Sequence, residues 1–290
     1  MTFYLGVDAG GSNCRSRLIS ADGTVIGHGA TGPANARIGL EKLYAALRDV
    51  ADQAIAEAGL SKTEVREIRA GMGIAGISRP GVRAGLDEFA FPFASFTYET
   101  DAYIANLGAN AGGEGAILII GTGSIAHVRL ADQSFTIGGY GFPISDEGSG
   151  AALGLSAMRH ALRALDGRTV STPLSTAVAE RFDHNTATAI AWMDKATPKD
   201  YGSLAPLVMD YAEADDAIAR SIVEHAALHI ERFVETIFKR GATRCVLVGG
   251  LAPRMEPWLR ARTVARLSEP LGDPLDGALR LAGYTPVTGS

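Results

Sequence analysis

The chain has 290 residues, 47% of them hydrophobic and 20% charged, with a formal net charge of −5. That length favours two domains over one, and the acidic balance argues against a nucleic-acid surface while leaving phosphate binding by backbone amides open. No apolar run approaches the roughly 18 residues of a membrane helix, the N-terminus lacks a basic leader, and Cys14 and Cys245 are too few for a disulfide framework or a thiolate metal cage; a cytoplasmic protein is expected.

Residues 3–8 read as a short buried strand, and residues 14–20 and 24–28 as the next two, joined by the hairpin signal Asp22-Gly23. A helix is predicted at about 40–59, with Leu40, Leu43, Leu47, Val50 and Ala54 on one face. Strands near 67–74 and 95–99 flank a short helix after Pro80, and residues 101–109 look helical from Asp101 onward. The pattern then restarts: residues 115–120 form a buried strand, 124–130 a second and 134–137 a third. Helices fill 150–240, the longest at about 215–239 with a seam of Ile218, Ile222, Ala226, Ile230, Phe233 and Ile237. The strand Cys245-Val246-Leu247-Val248 ends in Gly249-Gly250, and a last helix covers about 274–283. Two units that each open with strand, glycine turn and strand predict duplicated halves facing one cleft. No Pro/Ser-rich linker separates them, so the hinge is expected to be short.

Glycine is enriched, at 35 residues, and clustered. Clusters of this kind predict tight turns or close backbone approach to a ligand. In Gly6-Val7-Asp8-Ala9-Gly10-Gly11-Ser12-Asn13-Cys14-Arg15 a strand delivers a carboxylate to its end and a glycine turn follows. Uncovered amides there can hold phosphate oxygens while Asp8 faces their Mg²⁺ through water; a plain β-turn with a solvent-facing Asp8 uses the same residues. Ile120-Gly121-Thr122-Gly123-Ser124 repeats the arrangement at the start of the second half. Two such loops at equivalent places suit a nucleotide gripped from both sides.

This arrangement, with Gly249-Gly250 after a third buried strand, resembles the sugar kinase/Hsp70/actin superfamily. Asp8-to-Ser12 resembles its first phosphate loop, Gly121-to-Ser124 its second, and Gly249-Gly250 its adenosine motif. Within that superfamily, Gly139-Tyr140-Gly141-Phe142-Pro143-Ile144-Ser145-Asp146-Glu147-Gly148-Ser149-Gly150 is similar to the signature of the BadF/BadG-type ATPases, which include glucosamine and N-acetylglucosamine kinases. With Asp273-Pro274-Leu275-Asp276-Gly277-Ala278-Leu279, these motifs span nearly the whole chain. The resemblance implies an α/β fold of two duplicated actin-like, ribonuclease H-like ATPase domains around a central cleft. The domains are expected at residues 1–110, completed by 274–290, and at 111–273. ATP and Mg²⁺ are the implied cofactors and an amino sugar the implied acceptor, with no nucleic acid or membrane partner and a possible homodimer.

Residue by residue, the resemblance assigns Asp8, Gly10, Gly11, Ser12, Asn13, Gly121, Thr122, Gly123, Gly249 and Gly250 to the nucleotide, with Asp8 toward the metal. Thr100-Asp101-Ala102 matches the string that holds the family's catalytic base, Asp101. A helix start also favours ionised Asp101 through its dipole, although a plain helix N-cap is the alternative use of such an aspartate. Asn35, Thr122, Gly139 and Asp146 match sugar-contacting positions. Tyr140 stands where animal enzymes have Trp, and Ser145 replaces their Gly, so an N-acetyl preference is not implied; Asp146 and Glu147 offer carboxylates to a free amine. The implied reaction transfers the γ-phosphate to a hexosamine 6-hydroxyl, glucosamine ahead of N-acetylglucosamine. The family's other branch, ATPases that activate 2-hydroxyacyl-CoA dehydratases through an iron–sulfur cluster, and a nucleotide-switched binding protein are the alternatives.

Two strings matching G-x-G-x-x-G, at 27–32 and 71–76, open no long helix and predict no dinucleotide fold. His225 and His229 have metal-ligand spacing but no evident third ligand.

Overall fold

A computed structural model describes residues 2–11 and 13–286. In chain order its elements begin β1 (Phe3–Ala9), β2 (Cys14–Ser20), β3 (Val25–Thr31), α1 (Leu40–Ala58), α2 (Lys62–Val65), β4 (Ile68–Ile74), α3 (Val82–Asp87), β5 (Ser95–Glu99) and α4 (Asp101–Ala109). They continue with β6 (Gly115–Ile120), β7 (Ser124–Arg129), β8 (Ser134–Gly138), α5 (Gly150–Leu165), α6 (Pro173–Glu180), α7 (Thr186–Met193), α8 (Pro198–Gly202), α9 (Ala205–Glu213) and α10 (Ala217–Lys239). The chain ends with β9 (Cys245–Val248), α11 (Ala252–Met255), α12 (Ala261–Val264) and α13 (Pro274–Leu281). It divides into two compact units, one running to Glu114 and resuming at Glu269, the other spanning Gly115–Ser268.

In the first unit the strand order is β3-β2-β1-β4-β5. β1 and β2 are antiparallel, with Asp8 opposite Arg15, whereas β1, β4 and β5 run parallel, with Asp8 opposite Gly73 and Gly73 opposite Glu99. The residues that follow these three parallel strands therefore share one edge, where open α/β sheets bind ligands. The helix predicted near 40–59 forms as α1, buries Leu43, Leu47, Val50 and Ala54, and ends at Gly59 in the left-handed conformation. α1 lies so close to β3 that a Cβ on Gly27 or Gly29 would come within 2.1 Å of a helix carbonyl. α13 makes an equally close approach: a Cβ on Gly71 would stand 2.0 Å from the Ala278 carbonyl, and one on Gly277 1.8 Å from that of Ile104 in α4. Gly71, in a cluster that the sequence suggests as a turn or ligand position, and Gly27, Gly29 and Gly277 are spacers for helix packing. They also explain why neither G-x-G-x-x-G string opens a helix, since both lie largely in strands β3 and β4.

Arg17 on β2 fastens α13 through Asp273 and Asp276 at 2.6 and 2.7 Å. Those two aspartates also form the helix's capping box, so the C-terminal segment is both packed and ion-paired onto the first sheet.

The second unit repeats the pattern with the order β8-β7-β6-β9, β6 antiparallel to β7 and parallel to β9. Its core joins Leu118, Ile120 and Val128 of the sheet to Leu153 and Met158 of α5 and Val223, Ile230 and Val234 of α10. The helical stretch predicted for 150–240 is broken into six helices, several restarted by Thr or Asn caps, with Pro at the first turn of α6 and α8.

Candidate active site

In the first unit, the turn after β1 closes through the Gly10 amide, which donates to the Asn13 carbonyl at 2.9 Å. Among the described residues no acceptor meets the Gly11 amide, and a Cβ at Gly11 would touch nothing within 4 Å. This is an open backbone donor of the kind that holds phosphate. Ser12, assigned to the same loop, lies outside the described residues. Asp8 keeps its side chain largely buried and accepts a 2.9 Å ion pair from Arg15.

Two further segments are tied to the loop. Ala34 donates its amide to Gly10, Ala75 donates to Ala9, and Ala36 donates to Ala75. Asn35 therefore sits beside the phosphate loop. Its side-chain oxygen accepts from the Arg37 amide at 2.9 Å, which leaves the amide NH₂ as a donor for a ligand hydroxyl.

Asp101 is the first residue of α4, and the cap is its neighbour: the Thr100 hydroxyl accepts from the Tyr103 amide at 3.0 Å. Asp101 is thus spared the capping role that the sequence leaves open; its carboxylate accepts from the Ala102 amide at 3.0 Å and from its own amide. The expected effect of the helix dipole is outweighed. Burial raises the Asp101 pKa above the ordinary carboxylate range, the Ala102 amide offsets part of this, and the Asp8 charge adds to the rise. A half-buried carboxylate that feels the charge of another suits a proton acceptor, and its perturbed pKa marks it as a functional candidate.

In the second unit the β6–β7 turn is braced from below. The Gly150 and Ala151 amides, at the start of α5, donate to the Gly121 and Thr122 carbonyls at 2.8 and 3.1 Å. Among the described residues the Thr122 and Gly123 amides have no acceptor, matching the open donor at Gly11. The segment over 139–149 is anchored to this turn: Ser124 donates its hydroxyl to the Glu147 carbonyl at 2.8 Å, and Asp146 lies so near Gly123 that a Cβ there would be 3.1 Å from its carboxylate. Burial raises the Asp146 pKa; the Ser124 and Phe142 amides pull it down and Glu147 pushes it up again. Asp146 adopts φ 67°, a left-handed conformation that aspartate tolerates better than most residues.

Gly249 ends β9 at φ 107°, and a Cβ there would approach the Ile120 carbonyl oxygen to 2.4 Å. This packing brings Gly250 and Leu251 to a cavity of about 230 Å³ that also meets Gly121, Thr122, Ala205 and Arg254. Small residues, apolar walls and exposed backbone at a phosphate-type turn form a slot for a flat heterocycle. Arg254 is held at its edge by Asp210 and Glu213, both at 2.8 Å.

The first unit therefore gathers Asp8, Gly10, Gly11, Asn13, Asn35 and Asp101 on one sheet edge, and the second gathers Gly121, Thr122, Gly123, Asp146, Gly249 and Gly250. Other positions differ from expectation. Tyr140 is 83% exposed and lines, with Glu147, a separate cavity next to α10. Gly139 has a structural need for glycine, since a Cβ would come within 2.6 Å of Ile125. Sequence reasoning missed Arg15, although the β1–β2 register sets it opposite Asp8, and it missed Ala205 and Arg254, which no local motif announces. No group of three His, Cys, Asp or Glu among the described residues forms a metal cage. The single Asp8 carboxylate at the end of β1 would suit instead an ion that arrives with phosphate oxygens and water as its main ligands.

Two sheets sharing this strand order, with open amides at each glycine turn and a base-sized slot after β9, define an ATPase fold of the actin-like, sugar-kinase type. The chain belongs to the BadF/BadG/BcrA/BcrD ATPase family, whose model matches residues 5–279. It is 36% identical over 283 residues to the glucosamine kinase GspK of Vibrio cholerae, covering 98% of this chain and 96% of that one. It is 26% identical to an N-acetylmuramic acid/N-acetylglucosamine kinase of Clostridium acetobutylicum, over 82% of this chain and 79% of that one. A crystal structure from Chromobacterium violaceum, provisionally named an N-acetylglucosamine kinase, superimposes with a TM-score of 0.89 at 32% identity, covering 97% and 99% of the two chains.

Proposed function

We propose that this protein is an ATP-dependent amino-sugar kinase that phosphorylates the 6-hydroxyl of glucosamine, with N-acetylglucosamine as the second-ranked acceptor. The observation that most supports the reading is Asp101: free of the capping role, half-buried within the field of Asp8, and raised in pKa at the ligand-binding edge of a parallel sheet. The sugar O6 attacks the γ-phosphorus, its proton passes to the Asp101 carboxylate, and the bond to the ADP oxygen breaks. In a loose phosphoryl transfer, orientation contributes more than base strength.

The amides of Gly11, Thr122 and Gly123 serve as phosphate donors, and the slot beside Gly250 and Leu251 takes adenine. Mg²⁺, when bound with ATP, neutralises phosphate charge and is faced by Asp8. Asn35 donates to a sugar hydroxyl, and Asp146 and Glu147 supply carboxylates for the amine. The name of the V. cholerae relative favours glucosamine, and Tyr140 and Ser145, which depart from the animal N-acetylglucosamine kinases, point the same way.

The dehydratase-activator reading fits poorly. Cys14 and Cys245 are both buried, and burial pushes each thiol up to about 12, the opposite of what thiolate ligation of a cluster requires.

A coupled ADP-release assay over glucosamine, N-acetylglucosamine, mannosamine and glucose tests the proposal. Glucosamine should give the highest kcat/KM, and the product should carry phosphate at O6 by NMR. ADP release that no hexosamine stimulates would overturn it.

A further inference from the structure

Behind the Phe142–Gly148 segment, within the second unit, lies a cavity of about 180 Å³ whose Arg159, His225 and His229 have no part in the proposed reaction. Taking roughly 30 Å³ as the share of one liquid water, it has room for a small anion with a few waters. Arg159 of α5 and His225 and His229 of α10 line it, and Glu147 is the one carboxylate among its lining residues.

Arg159 has no carboxylate within ion-pairing distance among the described residues, and neither does Arg232, which lines the adjoining cavity that shares Ser145, Glu147 and His229. Most of the other arginines near α9 and α10 are neutralised: Arg220, Arg254, Arg260 and Arg262 all reach acidic partners. The two histidine rings stand perpendicular with centroids 4.7 Å apart. Burial lowers the His229 pKa, and His225 and Arg232 lower it further, against the opposing pull of Glu147. Two guanidinium groups without an acidic partner and two imidazoles thus meet a single carboxylate in this cavity and the one adjoining it.

We infer that this cavity is a second ligand site, which takes a phosphomonoester or inorganic phosphate dianion on Arg159, His225 and His229. Guanidinium and imidazole donors suit a tetrahedral oxyanion; the Ser156 hydroxyl on the same wall adds a neutral donor, and the Ser145 hydroxyl, which donates to the Glu147 carboxylate at 3.4 Å, would turn from it to the ligand. The site is built into the segment that holds Asp146, since Ser145 and Glu147 flank that residue. An occupant that draws on Ser145 therefore biases Asp146, and coupling of this kind typically changes affinity about 5- to 150-fold.

Two sources share this chemistry: free phosphate, and the phosphorylated sugar that the proposed reaction makes, whose ammonium would find Glu147. The second source rests on the amino-sugar kinase reading; the first does not.

The test is isothermal titration of the full chain, with the phosphate loops blocked by saturating MgADP, using inorganic phosphate in one arm and glucosamine 6-phosphate in the other. Wild type should bind at least one of them saturably. Arg159→Ala and His225→Ala, both at exposed positions, should weaken that binding tenfold or more, whereas Arg163→Ala, on α5 outside the cavity, should not. Kinase kcat and KM without added ligand should stay within twofold in Arg159→Ala, while modulation by the bound ligand is lost. Tight binding in the sugar-phosphate arm alone identifies the product as occupant; equal binding in both identifies phosphate.

Absence of saturable binding in both arms, or binding unchanged in Arg159→Ala, overturns the site, and binding without any effect on rate overturns its link to Asp146. A chain that binds phosphate at Arg159 but phosphorylates no amino sugar refutes the kinase reading and leaves the site standing.

Discussion

Gly249→Ala places a methyl group where the structure has no room for one. The residue sits at φ 107°, and an added Cβ would meet the Ile120 carbonyl oxygen at 2.4 Å, its carbon at 2.8 Å and the Ile120 nitrogen at 3.0 Å. All three obstacles are backbone of β6, so no side-chain rotation relieves them. A left-handed conformation costs a non-glycine residue roughly 1–2 kcal/mol, and overpacking a tight site costs roughly 1–3 kcal/mol more. The sum, about 2–5 kcal/mol, corresponds to a fall in Tm of roughly 4–20 °C for a domain of this size. The neighbouring Gly250 provides the control, because a Cβ there meets nothing within 4 Å and its φ lies outside the left-handed region; Gly250→Ala should leave Tm within about 2 °C. Differential scanning calorimetry of both variants, with the ATP KM measured alongside, checks the argument. The ATP KM should rise in Gly249→Ala because the β9 end forms the wall of the slot. Equal Tm values for the two variants would refute the reasoning, since it depends on adjacent glycines having opposite steric surroundings.

Asp101→Asn should lower kcat by about 10²–10⁴ while leaving the ATP dissociation constant within a few-fold, which stopped-flow and equilibrium binding with a fluorescent ATP analogue separate. Because burial and Asp8 raise the Asp101 pKa, the acid limb of the kcat/KM profile should lie above the ordinary carboxylate range; a limb at or below that range would show that another group titrates. Arg17→Ala should destabilise the attachment of α13 by about 1–2 kcal/mol after allowance for the part-exposed aspartates. Burial would raise Asp273, but the Asp276 amide and Arg17 hold it below its usual value, so the wild-type advantage should be present near neutrality and fade as the pH drops through the folded-state pKa, read by urea melts at several pH values. Cys14 and Cys245, both buried and with thiols pushed up to about 12, should resist maleimide at pH 7.5 in the native protein and react after denaturation, as mass spectrometry would record.

Much of this was legible because the signals are local. Strand, glycine turn and strand fix the β1–β2 and β6–β7 hairpins, and Thr100-Asp101 reads as a helix start whichever residue caps it. What stayed hidden depends on long-range packing. The slot beside Gly250 needs α9, which the sequence does not separate from its neighbours, and the approach of α8 to α5 is set by Gly154, where a Cβ would stand 1.9 Å from the Tyr201 carbonyl. Glycine was ambiguous for the same reason: Gly11 and Gly121 face open space, whereas Gly71 and Gly277 exist so that helices can touch backbone, and only tertiary structure separates the two uses. The pKa of Asp101 followed a similar course, since a helix start lowers it and burial, invisible in sequence, reverses the sign.

The two glycine turns share a topology but not a chemistry. The first is charged: Asp8 sits at the strand end with Arg15 opposite it and Asp101 near enough to feel its field. The second has no charge of its own, its amides are open and its carbonyls are occupied by the start of α5, with Asp146 behind it. Duplication alone would give two equal loops, whereas phosphoryl transfer needs unequal ones: neutral donors to grip phosphate oxygens, and a charged side to face the cation and accept a proton. Thr100 completes the division of labour. By capping α4 it leaves Asp101 under-solvated, a state whose raised pKa costs stability at neutral pH because folding then favours the protonated form. A chain selected for stability alone would place a neutral residue there. Freedom from capping and a raised pKa together make Asp101 the carboxylate on this sheet edge best suited to accept a proton.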